Sequence, residues 1–177
     1  KYNIHPDKVE TVYNAVEPVN FSHDIIVNKG FDEKVVTFLG RITLQKGPEY
    51  FVEAAYQVLQ RTKDVRFVMA GTGDRLPAVV EQVARLGISR HFHFTGFLTP
   101  EEVQRLLSTS DVFVMPSVSE PFGIVPLEAM RHGVPVILSR QSGVSEIIRY
   151  ALKTDFWDAH AMAEAILGLL HYPALSA

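Results

Sequence analysis

The sequence predicts an α/β fold in which helices cover both faces of a doubly wound parallel sheet. Short apolar runs of strand length alternate along the chain with segments whose apolar residues recur at helical spacing. The short runs are continuously apolar, as expected of strands that are buried on both faces. With 177 residues, of which 47% are hydrophobic, the chain has the length and composition of a single domain with a sizeable core.

Each predicted strand is rich in β-branched or aromatic residues. The five strands cover residues 35–39, 65–70, 91–95, 111–115 and 134–138. The first two stop at Gly40 and Gly71, and the fourth stops at Pro116. Pro135 lies inside the fifth and predicts either an edge strand or the beginning of a strand.

The predicted helices begin and end at residues with recognisable roles. They cover residues 48–61, 75–86, 100–107, 125–131 and 159–170. Proline suits the first turn of the first helix, and residues 99–102 form a capping box before the third. Asp74 is the predicted N-cap of the second helix, which ends at Gly87. The fourth helix ends at Gly133.

The composition excludes several classes of protein. The chain has no cysteine, which excludes a disulfide scaffold, a thiol nucleophile and a zinc site built on cysteine. Its formal net charge is −3, from 17 Lys and Arg against 20 Asp and Glu, so no nucleic-acid partner is expected. No apolar run approaches the ~18 residues of a membrane span, and no signal peptide begins the chain. A cytoplasmic protein without a transmembrane segment is therefore expected.

The loop after the first strand is a candidate binding loop, because parallel α/β sheets bind ligands beyond the carboxyl ends of their strands. It carries two cations, Arg41 and Lys46, between Gly40 and Gly47. Arginine binds phosphate through a planar pair of donors and lysine adds a mobile charge, so this loop predicts an oxyanion site. The alternative is two solvated loop cations. A P-loop is excluded, because it requires Gly-Lys-Ser/Thr and the order here is Lys-Gly-Pro.

The loop after the second strand, residues 71–74, contains two glycines. A dinucleotide-binding fingerprint would need a third glycine or alanine where Leu76 stands, so the match is incomplete. The loop is interpreted as a tight turn that leads into a helix. Close approach to a ligand is the alternative.

The loop after the fourth strand has the richest chemistry. Gly123 allows close backbone approach, and the N–H groups of Ile124 and Val125 begin a helix whose positive end attracts phosphate. Glu128, one turn into that helix, can accept both hydroxyls of a ribose, and Glu120 can accept hydroxyls of a second sugar. The alternative is that the two glutamates are a loop charge and a helix-surface charge.

The histidines and the late aromatic residues receive structural interpretations. His91 and His93 share one face of a predicted strand but have no third ligand nearby, so no metal site is expected. His132 ends a predicted helix, where a cationic imidazole is favourable. Phe156 and Trp157 are expected to anchor packing before the last helix.

Residues 120–130 resemble the signature of retaining glycosyltransferases with the two-domain GT-B architecture, in glycosyltransferase family 4, the group related to glycogen synthases. That signature has two glutamates separated by seven residues, matched here by Glu120 and Glu128. Four further segments resemble the same family in the same order, at residues 12–17, 40–47, 71–74 and 111–117. The resemblance extends from about residue 4 to residue 170, nearly the whole chain.

The resemblance implies a Rossmann-like, nucleotide-sugar-binding domain at residues 21–177, the C-terminal half of the GT-B architecture. Residues 1–20 would lead in from a missing N-terminal domain, and Lys1 is not an initiator residue. The implied enzyme transfers a sugar from a UDP-, ADP- or GDP-linked donor to a carbohydrate or other hydroxyl acceptor, without a metal or other cofactor. This chain alone is expected to be inactive, and peripheral membrane association of the full-length protein stays open.

The resemblance also implies roles for individual residues. Arg41 and Lys46 would hold the donor diphosphate and stabilise its charge as it leaves, and Glu120 would bind the transferred sugar. These three are the expected catalytic residues. Glu128 would bind ribose, and Leu98 lies where the family contacts the base. The expected donor-binding residues together are Gly40, Leu98, Gly123, Ile124, Val125 and Glu128.

Three positions depart from the family pattern. The family usually has Asn-Gly-Val-Asp where this chain has Asn-Ala-Val-Glu, so Glu17 receives no role. It usually has paired glycines where Ser142 and Gly143 stand, so Glu146 is not expected to contact the donor. The glycine-rich turn that should follow Glu146 is missing, and this edge of the domain is expected to be abbreviated.

Other functions stay open beside a retaining transferase. They are half of a sugar-nucleotide epimerase, an inverting transferase, and a nucleotide-binding or interaction domain without catalysis. The paired glutamates disfavour the first two. The intact cations and glutamates of the two loops disfavour a decayed site.

Overall fold

Six parallel strands form one sheet in the order β3-β2-β1-β4-β5-β6. The computed structural model describes residues 5–10, 12–16, 29–30 and 32–172. The strands are β1 Lys34–Leu39, β2 Val65–Ala70, β3 Phe92–Gly96, β4 Val112–Met115, β5 Val136–Ser139 and β6 Leu152–Thr154. The helices are α1 Pro48–Leu59, α2 Leu76–Arg85, α3 Pro100–Thr109, α4 Val125–Arg131 and α5 Ala159–His171. The predicted doubly wound α/β fold is confirmed.

Each face of the sheet has its own apolar core. On one face, α1, α2 and α5 pack over Val36, Phe67 and Val114. On the other, α3 and α4 pack over Phe113 and Leu138. All five of these strand residues are essentially inaccessible to solvent, which explains why the strands read as continuous apolar runs.

The central pair of strands, β1 and β4, marks the point where the chain changes direction across the sheet. They pair in parallel through Val36 with Val112 and Thr37 with Phe113. The strands that follow β1 extend to one side and those that follow β4 to the other. The loops after β1 and β4 therefore lie side by side at the edge where such folds bind ligands.

The predicted capping box of α3 and the predicted glycine stops of α2 and α4 are confirmed, whereas α1 ends at Leu59 and α3 extends to Thr109. Thr99 caps α3 in a capping box with Glu102, and Gly87 and Gly133 adopt positive φ values of 69° and 71° after α2 and α4. The prediction that Asp74 caps α2 is wrong. The N-cap is Arg75, already in a helical conformation, and it has no side-chain cap; its N–H donates to the Ile42 carbonyl over 3.0 Å.

The structure adds one strand, decides between the two predicted positions of Pro135, and moves His91 out of its predicted strand. β6 was not predicted, because it has only three residues and includes Lys153. Its pairing with β5 makes β5 internal, so Pro135 marks the beginning of a strand and not an edge. His91 lies in a 3-10 turn before β3 and does not share a strand face with His93. Glu17 and the predicted domain boundary at residue 20 lie outside the described residues.

Candidate functional site

The loops after β1, β2 and β3, together with the first turns of α3 and α4, surround one cleft of about 430 Å³. This volume falls within the range of small-molecule sites, on the order of 300–1,000 Å³. Its apolar lining residues are Leu39, Phe97, Leu98, Pro100, Val103 and Val125. Its polar side chains are those of Arg41, Thr72, Gln104 and Glu128. A mostly apolar wall with few polar groups suits a ligand that combines a flat ring with hydroxyls and charge.

The structure brings the predicted residues of the first loop to this cleft or beside it. Gly40 and Arg41 line the cleft, and the Arg41 side chain is exposed. Lys46 ends a 3-10 turn and does not line the cleft. The Lys46 side chain nevertheless passes over Gly40, whose Cβ, if it had one, would lie 3.9 Å from the lysine Cε.

Lys46 and Glu120 form an ion pair that joins the loop after β1 to the loop after β4. Their side chains are 21% and 12% exposed, so the pair is only partly hydrated. The two loops also meet through their backbones, since the Val118 N–H donates to the Gln45 carbonyl over 2.9 Å. Lys46 and Glu120, which the sequence analysis expects to bind the same sugar donor, therefore contact each other directly in this structure.

Gly123 supports Glu120 as well as opening the loop. It has φ +88°, and a Cβ there would lie 3.0 Å from the Glu120 Cγ and 3.1 Å from the Met115 Cε. The Glu120 carbonyl accepts from the Gly143 N–H over 2.9 Å. Glycine at 123 thus leaves space for the glutamate side chain, a packing role that sequence reasoning did not identify.

The helix that follows carries the remaining predicted residues. Val125 and Glu128 line the cleft, and Glu128 is half-buried. Ile124 is the N-cap of α4 and is 40% exposed. In the 32–172 range, neither the Ile124 nor the Val125 N–H has a hydrogen-bond acceptor, so both are available to a ligand.

The two glycines of the second loop are required by contact with the first. A Cβ at Gly71 would lie 2.0 Å from the Gly40 carbonyl oxygen, and one at Gly73 would lie 2.1 Å from that of Ile42. The Ile42 N–H also donates to the Thr72 carbonyl over 2.9 Å. This loop therefore supports the cation-bearing loop from behind while Thr72 reaches the cleft.

Sequence reasoning missed Gln104, which lines the cleft from α3. The Gln104 Oε1 lies 2.6 Å from the His132 Nε2 at the C-cap of α4. Burial lowers the pKa of His132, and the neighbouring Arg131 charge lowers it further. His132 lies at a helix end as predicted, and its lowered pKa favours the neutral imidazole. No spacing in the sequence signals this pair.

The remaining residues singled out from the sequence lie both inside and outside the cleft. Leu98 lines the cleft, whereas Glu146 is exposed and does not. The Phe156 ring packs against Tyr50 with centroids 5.2 Å apart, and Trp157 contacts Phe156 but is 58% exposed.

Across residues 5–10, 12–16, 29–30 and 32–172, no three metal-ligating side chains converge. None of the helices in that part of the chain is long and apolar enough to cross a membrane.

Solved structures and a curated relative resemble this chain. It is 38% identical over 161 residues to an uncharacterized glycosyltransferase of Methanocaldococcus jannaschii, covering 84% of this chain and 40% of the relative. The chain thus spans about 40% of that relative's length. HepE of Anabaena, solved in complex with UDP, matches with TM-score 0.75 and 23% identity, over 82% of this chain and 41% of that chain.

A third match is the C-terminal domain of the glycosyl transferase group 1 family protein LpcC from Francisella tularensis. It has TM-score 0.74 and 24% identity, over 82% of this chain and 79% of that chain. The two structural likenesses show the fold. The family described as glycosyl transferases group 1 matches residues 22–177. Since this match covers most of the sequence, the chain belongs to the glycosyl transferases group 1 family.

Proposed function

We propose that residues 21–177 are the C-terminal, donor-binding domain of a retaining glycosyltransferase of family 4, related to glycogen synthases. Such an enzyme moves a sugar from a nucleoside diphosphate to a hydroxyl acceptor. The observation that carries the proposal is the meeting of Lys46 and Glu120 beside a cleft lined by Arg41 and Glu128. Membership of the family and the likeness to a separately solved C-terminal domain support it.

The chemistry of the cleft matches the parts of a nucleotide sugar. Arg41 and Lys46 supply positive charge for a diphosphate, with backbone N–H groups of residues 123–125 as further donors. Glu128 accepts the two hydroxyls of ribose. The apolar wall at Leu98 and Val103 suits the flat face of a base. HepE, which shares the fold, was solved with UDP.

The reaction breaks the bond between the anomeric carbon of the sugar and a phosphate oxygen. The acceptor oxygen bonds to the anomeric carbon on the same face of the sugar, and the acceptor proton passes to the leaving diphosphate oxygen. Arg41 and Lys46 stabilise the negative charge that develops on that diphosphate. Glu120 holds a hydroxyl of the transferred sugar, which fixes its orientation.

The ion pair gives the donor a specific way to assemble the site. When a diphosphate arrives, the Lys46 ammonium exchanges the Glu120 carboxylate for a phosphate oxygen. The carboxylate is then free to accept a sugar hydroxyl. The two loops are already held together by backbone hydrogen bonds, so this exchange requires only side-chain movement.

The acceptor site and the remaining catalytic contacts belong, in this proposal, to an N-terminal domain of the same cytoplasmic protein. The chain spans about 40% of its Methanocaldococcus jannaschii relative, which leaves ample length for such a domain. The isolated chain then binds nucleotide and does not transfer sugar. No metal takes part, since the two cations neutralise the diphosphate.

Calorimetry of the chain with UDP, ADP and GDP tests the proposal. We expect at least one nucleotide to bind, equally well in the presence of EDTA, and Lys46→Ala to weaken its binding at least tenfold. Arg85→Ala, which removes an exposed cation at the end of α2, serves as the matched control and leaves binding unchanged. If none of the three nucleotides binds, the donor-binding assignment is wrong and an interaction domain is favoured.

A further inference from the structure

Gln104 is the polar side chain that α3 contributes to the cleft. Its neighbours in the lining from the same part of the chain, Leu98, Pro100 and Val103, are apolar. An apolar wall accounts for stacking or packing of a ring but does not distinguish one base from another. A carboxamide on that wall can do so, because it offers hydrogen-bonding groups to the edge of a base.

His132 determines which end of the Gln104 carboxamide is available. The His132 Nε2 lies 2.6 Å from the Gln104 Oε1. A carboxamide oxygen only accepts hydrogen bonds, so the imidazole Nε2 carries the hydrogen and donates it. With its oxygen occupied, the carboxamide keeps its two N–H donors. Among residues 32–172, no side-chain or backbone acceptor engages that amide nitrogen.

The two residues come from different helices, which makes the orientation stable. Gln104 lies in α3, and His132 is the C-cap of α4, 28 residues later. Both are half-buried, so water competes weakly for this hydrogen bond. A freely rotating glutamine would offer oxygen or nitrogen equally well. The contact with His132 occupies the oxygen of Gln104 and leaves its amide nitrogen as the group that can bind a ligand.

We propose that Gln104, oriented by His132, selects a donor whose base has a carbonyl oxygen where other bases have an amino group. The selected nucleotides are UDP over CDP among pyrimidines and GDP over ADP among purines. This inference rests on the proposed donor-binding function and adds to it the chemical class of the base. Gln104 is a specificity-determining residue and His132 is a positioning residue.

The pair UDP and CDP provides the sharpest test, because the two bases are alike in size and differ at one edge. Calorimetry on the wild-type chain should give about tenfold tighter binding of UDP. Gln104→Leu should bring the ratio of the two dissociation constants close to one. Gln104→Glu should favour CDP, because a carboxylate accepts from the cytosine amino group and repels the uracil carbonyl.

His132→Ala tests the positioning role through the same ratio. Loss of the orienting hydrogen bond should reduce the preference for UDP severalfold while UDP still binds. Gln60→Leu, at the C-cap of α1, is the matched control and should keep the wild-type ratio. Because the ratio is internal to each variant, a partial loss of stability does not imitate the effect.

Two results would overturn the inference while leaving the proposed function intact. One is a wild-type chain that binds nucleotides without preferring UDP to CDP. The other is an unchanged ratio in both Gln104 variants. If instead neither these nucleotides nor GDP and ADP bind to the wild-type chain, the proposed function itself fails and the inference fails with it.

Discussion

The ammonium group of Lys46 contacts the carboxylate of Glu120, although 74 residues separate them along the chain. The contact exists because β1 and β4 are neighbours in the sheet and their following loops meet. Because of this ion pair, one of the two cations proposed to bind phosphate already has a carboxylate partner in this structure.

Removing the charge of Glu120 should strengthen the binding of free UDP. In Glu120→Gln, Lys46 no longer has a competing carboxylate, so we expect UDP affinity to rise about fivefold, the size of a partly exposed ion pair. Transfer by a full-length enzyme with this substitution should fall, because the sugar hydroxyl loses its acceptor. Glu81→Gln, an exposed carboxylate of α2, is the control in calorimetry. Weaker UDP binding by Glu120→Gln would contradict the exchange of partners by Lys46.

Glu128 should distinguish ribose from deoxyribose. We expect the chain to bind UDP about tenfold more tightly than 2′-deoxy-UDP, because a half-buried carboxylate loses one hydrogen bond with the deoxy sugar. Glu128→Ala should bind the two nucleotides almost equally. Glu146→Ala, which removes an exposed carboxylate outside the cleft, should keep the wild-type ratio in the same titration. A ratio that survives Glu128→Ala would place the ribose elsewhere.

Asp111, at the end of the sheet away from the cleft, should make the free energy of unfolding depend on pH. Partial burial alone would raise the pKa of Asp111, but Lys29, the Val35 N–H at 2.8 Å and Lys34 at 3.2 Å outweigh it and hold the pKa below its usual 3.8. The charged form therefore stabilises the folded chain fully above the unfolded-state pKa. That stabilisation is lost as the pH falls through the lower folded-state pKa.

The matching experiment is urea unfolding of Asp111→Asn at several pH values. At pH 7 the substitution should lower the free energy of unfolding by about 2 kcal/mol. The difference from the wild type should narrow as the pH falls from about 4 downwards. Asp64→Asn, an exposed carboxylate, should show no such narrowing. If the difference in free energy of unfolding between the wild type and Asp111→Asn stays constant down to pH 2, the charge of Asp111 is not its source.

Adding one methyl group at Gly73 should be far more damaging than adding one at Gly168. A Cβ at Gly73 would lie 2.1 Å from the Ile42 carbonyl oxygen, so the loop that carries Arg41 must move. We expect Gly73→Ala to lower the free energy of unfolding by about 3 kcal/mol and to weaken UDP binding. Gly168→Ala, in α5 with open space around it, should raise that energy by up to ~1 kcal/mol. Equal effects in thermal unfolding would refute the close contact of the two loops.

The sequence predicts the parts of this molecule that depend on local patterns. Apolar runs identify β1 to β5, and capping residues locate the start of α3, because both depend on neighbours in the chain. β6 escapes such reasoning because pairing with β5, and not its three residues, makes it a strand. Asp74 is not a cap because a contact of Arg75 with Ile42 fixes the chain there instead.

The residues of the candidate site can also be predicted from the sequence, whereas the contacts between them cannot. Arg41, Lys46, Glu120 and Glu128 can be proposed from residue type and position at strand ends. The contact between Lys46 and Glu120 depends on the order of strands, and that between Gln104 and His132 depends on how α3 lies beside α4. Both are long-range packing outcomes, and no local pattern encodes them.

If the proposed function is right, the adjacency of β1 and β4 also couples nucleotide binding to the completion of folding. The first three strands supply Arg41 and the apolar wall at Leu98, whereas Glu128 belongs to the half built on β4 and β5. A nucleotide that contacts both halves stabilises only those chains in which β1 and β4 have paired, because it binds to the folded chain alone. A partly folded chain in which only the first three strands have formed lacks the half of the site that includes Glu128. Nucleotide binding therefore detects chains in which the whole sheet has formed and does not detect partly folded ones.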